Sequence, residues 1–292
     1  MRTVFTEKQK ENSFTHDGCL VVNFLNPDEL EQLRSDVKEL GFGIDNEEKL
    51  RISTIHESVE KKNEIFEKLY PVSQRAADNI LNSYKLIRIG LFDKLPGGLE
   101  TSFHYHPTIV DESKYRSLAV WVPLTATTVE MGTLHVVRGS HKFANSFRAY
   151  NDYYLTHKGV SGKLMKKYGT PLLLKAGQAV VFDDRLIHWT PPNKSSRIRT
   201  AIKLDFIPRE TELTIYYRAN EQELSSYTID EKSFREAALT IKKSDNLQLT
   251  GKLYQPVVRY GNKQFISMMQ DTNPDCTKQK RNFFQRLFNQ LR

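Results

Sequence analysis

The sequence predicts a mainly β fold with flanking helices. Between residues 84 and 217, short runs of β-branched and aromatic residues alternate with turns that contain Gly and Pro, which is typical of a β-sandwich or barrel. Before residue 84, apolar residues recur at three- and four-residue steps, the spacing of amphipathic helices. The 292 residues are sufficient for one large domain. We divide it into an N-terminal strand and helices (1–83), a β core (84–217) and a C-terminal extension (218–292).

The N-terminal segment contains one predicted strand and two predicted helices. The apolar run CLVVNFL, residues 19–25, indicates a short strand. Pro27 suits the first turn of a helix that would end before Gly41. A second helical pattern covers roughly residues 60–83, where Pro71 predicts a break or a kink.

The predicted core consists of many short strands. The β-rich runs in chain order are KLIRIGLF, SFHYH, SLAVWVPL, TLHVVRGSH, PLLL, QAVVF, LIHW, RTAIKLDFI and ELTIYY. Residues 218–275 contain no repeat and no low-complexity tract. The basic segment 278–292 has a helical apolar stripe, which predicts a tail helix docked on its own domain, or else a contact with a membrane surface or a partner protein.

Composition and charge exclude several classes of protein. The chain has 43 Lys and Arg against 35 Asp and Glu, a net charge of +8, but the charges are scattered and no nucleic-acid-binding signature is present, so no nucleic-acid partner is expected. No uncharged apolar stretch is long enough for a transmembrane helix, and the polar N-terminus does not resemble a secretory signal. The two cysteines, Cys19 and Cys276, cannot form a disulfide framework. A reducing, cytoplasmic location is therefore expected.

Three histidines form a candidate metal site. His104 and His106 stand two apart in SFHYH, so a strand would direct both side chains to the same face. His188 ends another apolar run 82 residues later. Imidazole ligands suit Fe, Zn, Cu or Ni, although paired histidines of the core or surface are the alternative. The polar surroundings of His16, His56 and His157 indicate surface positions.

Several motifs in order resemble a known family. The segments are HYHP, SLAVWVPLTATTVEMGTLHVVRGSHKF and AGQAVVFDDRLIHWTPPNKSSRIR, within residues 94–208. They are similar to the phytanoyl-CoA dioxygenase family of iron(II)/2-oxoglutarate oxygenases, which has a distal His, a Pro-Asn-x-Ser turn and an Arg eleven residues after that His. Here the distal His is His188, the turn contains Asn193 and Ser196, and the Arg is Arg199.

The resemblance implies a fold, a cofactor and a set of site residues. The family core is a double-stranded β-helix, a jelly roll of cupin-like type, with Fe(II) as metal and 2-oxoglutarate as cosubstrate. His104 and His188 would be metal ligands, and Arg199 would bind the distal carboxylate of 2-oxoglutarate. Trp121 falls near a position that lines the cosubstrate pocket, and Lys94 matches a family lysine of undefined role. The alternatives are a surface ion pair for Arg199 and core packing for Trp121.

The chain departs from the family at one metal-binding position. His106 stands where the family has Asp, so the site would have one less negative charge. We expect His106 to face the metal in a three-His site. The alternative is that Asp111 or Glu112 supplies the missing carboxylate, whereas Asp183 and Asp184 are less favoured.

The function predicted from these features is oxidation of a small organic substrate by iron, 2-oxoglutarate and oxygen. The basic charge favours an anionic or carrier-bound substrate. A metal-binding jelly roll that is not catalytic, or that catalyses a reaction independent of 2-oxoglutarate, is the second reading. A binder of an anionic polymer is the third reading, and the oligomeric state is left open.

Overall fold

The structure, a computed structural model, describes residues 2–44, 48–143, 147–151, 159–237, 241 and 247–272. In these ranges, antiparallel strands form a six-stranded sheet, a four-stranded sheet and a three-stranded sheet. Helices pack on the outer face of the largest sheet. This is the jelly-roll architecture with flanking helices that the sequence predicts.

The six-stranded sheet is the scaffold of the molecule. Its strands are β1 (Cys19–Asn23), β2 (Leu50–Ile52), β3 (Tyr84–Lys94), β5 (Leu118–Pro123), β8 (Gln178–Asp183) and β10 (Arg199–Pro208). Their order across the sheet is β1-β8-β5-β10-β3-β2. The longest pairing joins β10 to β3, and β10 also pairs with β5 on its other side. Strand β10 therefore lies in the middle of the sheet.

Two smaller sheets complete the β structure. The four-stranded sheet contains β4 (Thr101–His104), β6 (His135–Val136), β7 (Thr170–Pro171) and β9 (His188–Thr190), in the order β4-β9-β6-β7. The three-stranded sheet contains β11 (Thr214–Arg218), β12 (Glu223–Thr228) and β13 (Gln248–Tyr254), in chain order.

Seven helices lie in the described parts of the chain. They are α1 (Lys8–Asp17), α2 (Pro27–Glu39), α3 (Ser53–His56), α4 (Val59–Asp78), α5 (Gly162–Tyr168), α6 (Glu231–Glu236) and α7 (Asn262–Thr272), and a 3-10 helix covers Ser140–Phe143. Helix α2 begins with a capping box between Asn26 and Glu29, which satisfies backbone N–H groups that the first turn leaves unpaired. None of the helices described is long and apolar enough to cross a membrane.

The alternation of β10 separates the core from the site. Ile202, Leu204 and Phe206 pack in the largest apolar cluster together with residues of α2 and α4. Ala201 belongs to a second cluster that includes Trp121 and residues of β6 and β8. The side of the sheet that carries Ala201 thus faces the four-stranded sheet, because successive side chains of a strand point to opposite faces.

The predicted N-terminal elements are present with adjusted ends. Strand β1 and helix α2 agree with the prediction. Helix α4 continues through Pro71 as one element, so the predicted break is absent, and it ends at Asp78 rather than near Ser83. Both β1 and β2 belong to the sheet that contains the strands after residue 84. The division of the chain at residues 83 and 217 stays a prediction.

Several β-rich runs form less strand than expected. Only His135–Val136 of TLHVVRGSH is a strand, since the run continues into the 3-10 helix, and only the first residue of PLLL belongs to β7. The region after residue 217 contains two strands and two helices that its sequence pattern did not indicate. The basic segment 278–292, His157 and Cys276 lie outside the described residues.

Candidate metal centre

Three imidazole rings converge between the two larger sheets. One ring nitrogen from each of His104, His106 and His188 lies within 4.8 Å of the others. His104 ends β4 and His188 begins β9, and the two are direct cross-strand partners, with ring centroids 4.2 Å apart. The ring of His106 lies 4.7 Å from that of His188. The structure therefore brings together the three histidines singled out in the sequence.

His106 reaches the cluster from outside the strand, so the predicted continuous strand through SFHYH is wrong. Strand β4 ends at His104, after a register shift that follows Thr101. The backbone N–H of His106 donates to the carbonyl of Asp184, at 2.8 Å, and Pro107 has no N–H with which to continue a ladder. The contact with the turn after β8 holds His106 at the cluster.

The Nδ1 atom of each of the three histidines lies within hydrogen-bond distance of an oxygen atom. Nδ1 of His104 and Nδ1 of His188 donate to the carbonyl two residues earlier, at 2.7 and 2.8 Å. Nδ1 of His106 lies 2.6 Å from a carboxylate oxygen of Asp184. Since Nδ1 is engaged in this way, Nε2 is the ring nitrogen that each histidine could offer to a metal ion. Metal-ligating histidines are typically oriented by such contacts.

Burial keeps the imidazoles in the form that binds metals. It is the largest cause that holds the pKa of His106 and the pKa of His188 well below the usual value, and the neighbouring positive charges add to it. Both rings are therefore neutral near pH 7, and a neutral imidazole has a lone pair for a metal ion.

A pair of buried carboxylates lies behind His106. Asp184 and Asp205 each place an oxygen within 4.8 Å of His106. Burial and the neighbouring Asp205 raise the pKa of Asp184 to about 7. Burial also opposes ionisation of Asp205, but ion pairs with Lys203 and Arg88 hold its pKa well below its usual value. Because Asp205 already has two cationic partners, this pair offers little to a second metal ion.

The acids that follow His106 are engaged elsewhere. Asp111 accepts hydrogen bonds from the backbone and hydroxyl of Ser113. Glu112 forms a two-bond ion pair with Arg148, at 2.7 and 2.5 Å. Neither Asp111 nor Glu112 belongs to the cluster, so the alternative that one of them replaces the family carboxylate finds no support in the geometry.

Asp183 and Asp184 have different partners although they are adjacent. Both oxygens of Asp183 accept hydrogen bonds from Arg185, at 2.6 to 2.9 Å. Burial opposes ionisation of Asp183, but these contacts lower its pKa to about 2. Of the two acids, Asp184 is the one that contacts a cluster histidine.

A cavity of about 310 Å³ adjoins the cluster. Its walls combine apolar side chains, the three histidines and charged groups from β3 and β10. The lining residues are Ile52, Thr54, Ile55, Arg88, Gly90, Phe92, Thr101, Ser102, His104, His106, Pro107, Ile109, Trp121, Leu134, Tyr150, Phe182, Asp184, His188, Thr190, Arg199, Lys203 and Asp205. Since Arg199 and Asp205 are six residues apart on β10, the cavity extends for about 20 Å along this strand.

Arg199 is a buried cation in the cavity wall. Its Nη1 donates to the carbonyl of Gly132, at 2.6 Å, and its guanidinium carbon lies 5.4 Å from the centre of the Trp121 ring. Within the described part of the chain, its Nε has no hydrogen-bond partner and its charge has no carboxylate within ion-pair distance. Burial lowers its pKa to about 10. The alternative of a surface ion pair for Arg199 is therefore wrong.

Trp121 and Lys94 have different positions relative to the cavity. Trp121 lines it. Lys94 is fully buried but is not among the lining residues. Its ammonium donates to the carbonyl and hydroxyl of Thr190 and to the carbonyl of Pro191, at 3.2, 2.6 and 2.8 Å. Burial and the nearby Arg199 lower the pKa of Lys94 to about 7. These hydrogen bonds hold the C-terminal end of β9 in place.

Asp205, Arg88 and Tyr150 all line the cavity but were not singled out from the sequence. Asp205 lies two residues beyond Lys203 on the face of β10 that carries Arg199, so the same alternation could have indicated it. Arg88 is a charged residue within the apolar run KLIRIGLF, which is also a usable signal. Tyr150 has no such signal, because it reaches the cavity from a loop.

Fold and site together define a jelly-roll protein in which three histidines that could hold a metal ion lie beside a cavity that contains a buried cation. The family model for phytanoyl-CoA dioxygenase matches residues 14–201. The chain belongs to this family, whose members are iron(II)- and 2-oxoglutarate-dependent enzymes, and this confirms the family predicted from the motifs.

Individual relatives agree with this assignment. The dioxygenase lolE1 of Epichloe uncinata is 29% identical over 109 residues, which are 37% of this chain and 40% of that protein. The alignment thus covers less than half of the length of the curated relative.

Solved structures show the same fold. The epimerase SnoN in complex with Fe³⁺, α-ketoglutarate and nogalamycin RO has a TM-score of 0.54 at 13% identity, over 70% of this chain and 85% of that one. EvdO2 from Micromonospora carbonacea var. aurantiaca, complexed with 2-oxoglutarate, has a TM-score of 0.51 at 19% identity, over 71% and 94%. At these identities the likeness shows the jelly-roll fold.

Proposed function

We propose that this protein is an iron(II)/2-oxoglutarate-dependent oxygenase that oxidises a small organic substrate. His104, His106 and His188 would hold the iron, and Arg199 would bind 2-oxoglutarate. The observation that carries the proposal is the convergence of three Nδ1-anchored imidazoles in a cavity that also contains Arg199. Membership of the family supports it. A reducing cellular interior, the location we propose, keeps iron in the ferrous state.

The donor set fits a transition metal. Three neutral imidazoles suit Fe, Zn, Cu or Ni, and three ligands leave positions for a cosubstrate and oxygen. Iron, 2-oxoglutarate and oxygen together supply the oxidising chemistry when bound. The contribution of the protein is to hold the ligands in place, to orient the cosubstrate and to exclude water from the cavity.

Arg199 fits the distal carboxylate of the cosubstrate. A buried cation without a counter-ion is costly, and a carboxylate beside its unpaired Nε would remove that cost. The hydrogen bond from Nη1 to Gly132 fixes the plane of the guanidinium, and the ring of Trp121 supports it. A carboxylate bound there would accept a hydrogen bond from Nε.

The substrate would occupy the part of the cavity near Arg88 and Tyr150. Nη1 of Arg88 and the hydroxyl of Tyr150 are buried in the cavity wall and lie next to each other. A substrate with an acceptor group, such as a carboxylate or a carbonyl, would accept hydrogen bonds from this pair of neighbouring donors. This agrees with the anionic or carrier-bound substrate that the basic composition favours.

The neutral three-His set favours one alternative, a metal-binding jelly roll without 2-oxoglutarate turnover. Two measurements on the same sample separate these two functions. Anaerobic titration with Fe(II) and then 2-oxoglutarate should give the visible charge-transfer band of an iron chelate, and admission of air should release succinate coupled to oxygen uptake. A metal-loaded protein that produced neither the band nor succinate would be the alternative.

A further inference from the structure

We propose that Asp184, acting through His106, returns to the metal site the negative charge that the family takes from an Asp ligand. This inference rests on the proposed metal ligation. It concerns a positioning residue, because Asp184 would act on the metal through the imidazole of His106.

The three histidines differ in what their Nδ1 atoms contact. His104 and His188 donate to neutral backbone carbonyls. His106 instead contacts a carboxylate, at 2.6 Å. His106, which stands where the family has Asp, is therefore the histidine whose Nδ1 contacts a carboxylate.

Two contacts join Asp184 and His106. The carbonyl of Asp184 accepts the backbone N–H of His106, at 2.8 Å, and its carboxylate accepts Nδ1–H of the ring. The side chains are 2% and 14% exposed, so solvent screens the contact weakly. Together the contacts hold the ring of His106 beside the rings of the other two histidines.

A carboxylate behind an imidazole changes the ligand. It fixes the tautomer with the proton on Nδ1 and makes Nε2 a stronger donor to the metal. Asp205 cannot take this role, because Lys203 and Arg88 already neutralise it. A cation bound to Nε2 would favour the ionised form of Asp184, so the dyad of His106 and Asp184 would combine the reach of an imidazole with the charge of a carboxylate.

The test is a metal titration of four proteins: wild type, Asp184→Asn, His106→Asp and the double variant. Asn keeps an oxygen acceptor for Nδ1–H and removes the charge. In the wild-type background, Asp184→Asn should weaken Ni(II) and Fe(II) binding about 10- to 100-fold. In the His106→Asp background the same change should leave metal binding unchanged or tighten it, since two carboxylates would otherwise face each other.

Asp93→Asn is the matched control. Asp93 is fully buried and accepts two hydrogen bonds, but it is not a cavity residue, so metal affinity should not change. Equal weakening by Asp184→Asn in both backgrounds would show a structural role and overturn the proposal, as would no weakening in the wild type. Turnover of 2-oxoglutarate is measured separately. The metal affinities therefore test the role of Asp184 even if the protein is not an oxygenase.

Discussion

At the level of single residues, Arg199 provides the sharpest test of the cosubstrate pocket. Replacement by Met removes the charge and the hydrogen-bond donors but keeps much of the apolar volume. Loss of a desolvated carboxylate contact costs about 2–5 kcal/mol, so affinity for 2-oxoglutarate should fall at least about 30-fold. Metal affinity should stay close to that of the wild type.

The control is Arg197→Met, since Arg197 is exposed and lies two residues earlier. Isothermal titration of the Ni(II)-loaded proteins with 2-oxoglutarate measures both variants. Unchanged affinity in Arg199→Met would place the cosubstrate elsewhere.

His188 is the most deeply buried of the three proposed metal ligands. Substitution of a residue that hydrogen-bonds a metal ligand typically weakens metal binding by up to ~100-fold. His188→Ala should lower Ni(II) affinity by more than this, because one of the three proposed donors is lost. His56→Ala, at an exposed histidine, should have no effect. Competition with a chromophoric chelator measures both, and equal affinities would remove His188 from the site.

At the level of elements, the loop that carries Gly132 contacts both Pro191, which follows β9, and Arg199, the proposed cosubstrate residue. Gly132 has φ of 67°, and a Cβ there would lie 2.3 Å from the carbonyl oxygen of Pro191. Gly132→Ala should therefore displace the carbonyl that accepts from Arg199, weaken 2-oxoglutarate binding and lower stability by more than the ~1–2 kcal/mol of left-handed strain.

Gly97→Ala is the control that separates the effect of backbone strain from the effect of displacing the carbonyl that accepts from Arg199. Gly97 has φ of 76°, but nothing lies within 4 Å of its Cβ position. The Gly97→Ala variant should lose stability only through left-handed backbone strain and should keep its affinity for 2-oxoglutarate. Urea unfolding together with the titration compares the two variants, and identical behaviour would show that the contact with Pro191 has no functional weight.

Elements that depend on nearby residues could be predicted from the sequence, whereas elements that depend on long-range contacts could not. Strand β10 shows its alternation in the sequence, so Arg199 and its neighbours could be assigned to one face. Strand β4 could not be delimited, because its end at His104 depends on a hydrogen bond between His106 and a turn almost 80 residues away. The pairing of Asp184 with His106 is unpredictable for the same reason, whereas the histidine set itself followed from family motifs.

At the level of the whole molecule, buried ion pairs make stability depend on pH. The contacts with Arg185 lower the pKa of Asp183 from its ordinary 3.8 to about 2 in the folded state. A depressed folded pKa gives stability that is present above the unfolded value and lost as pH falls through the folded value. Asp183 should thus contribute about 2 kcal/mol at neutral pH, which disappears between about pH 4 and pH 2.

Urea unfolding of the wild type and Asp183→Asn across this range measures the contribution. The difference in the free energy of unfolding between the two proteins should shrink as the pH falls. A difference that is independent of pH would show that the ion pair is not the origin of the effect.

The position of β10 in the middle of the six-stranded sheet has a consequence for biosynthesis. It is the last of the six strands to be made, and its neighbours β3 and β5 are each more than 75 residues upstream. Until residue 208 has left the ribosome, the nascent sheet consists of two halves with open inner edges, β2-β3 and β5-β8-β1. Open edges of apolar strands pair with other chains. We therefore expect the nascent chain to depend on shielding by chaperones over the interval in which the two halves wait for the strand that joins them.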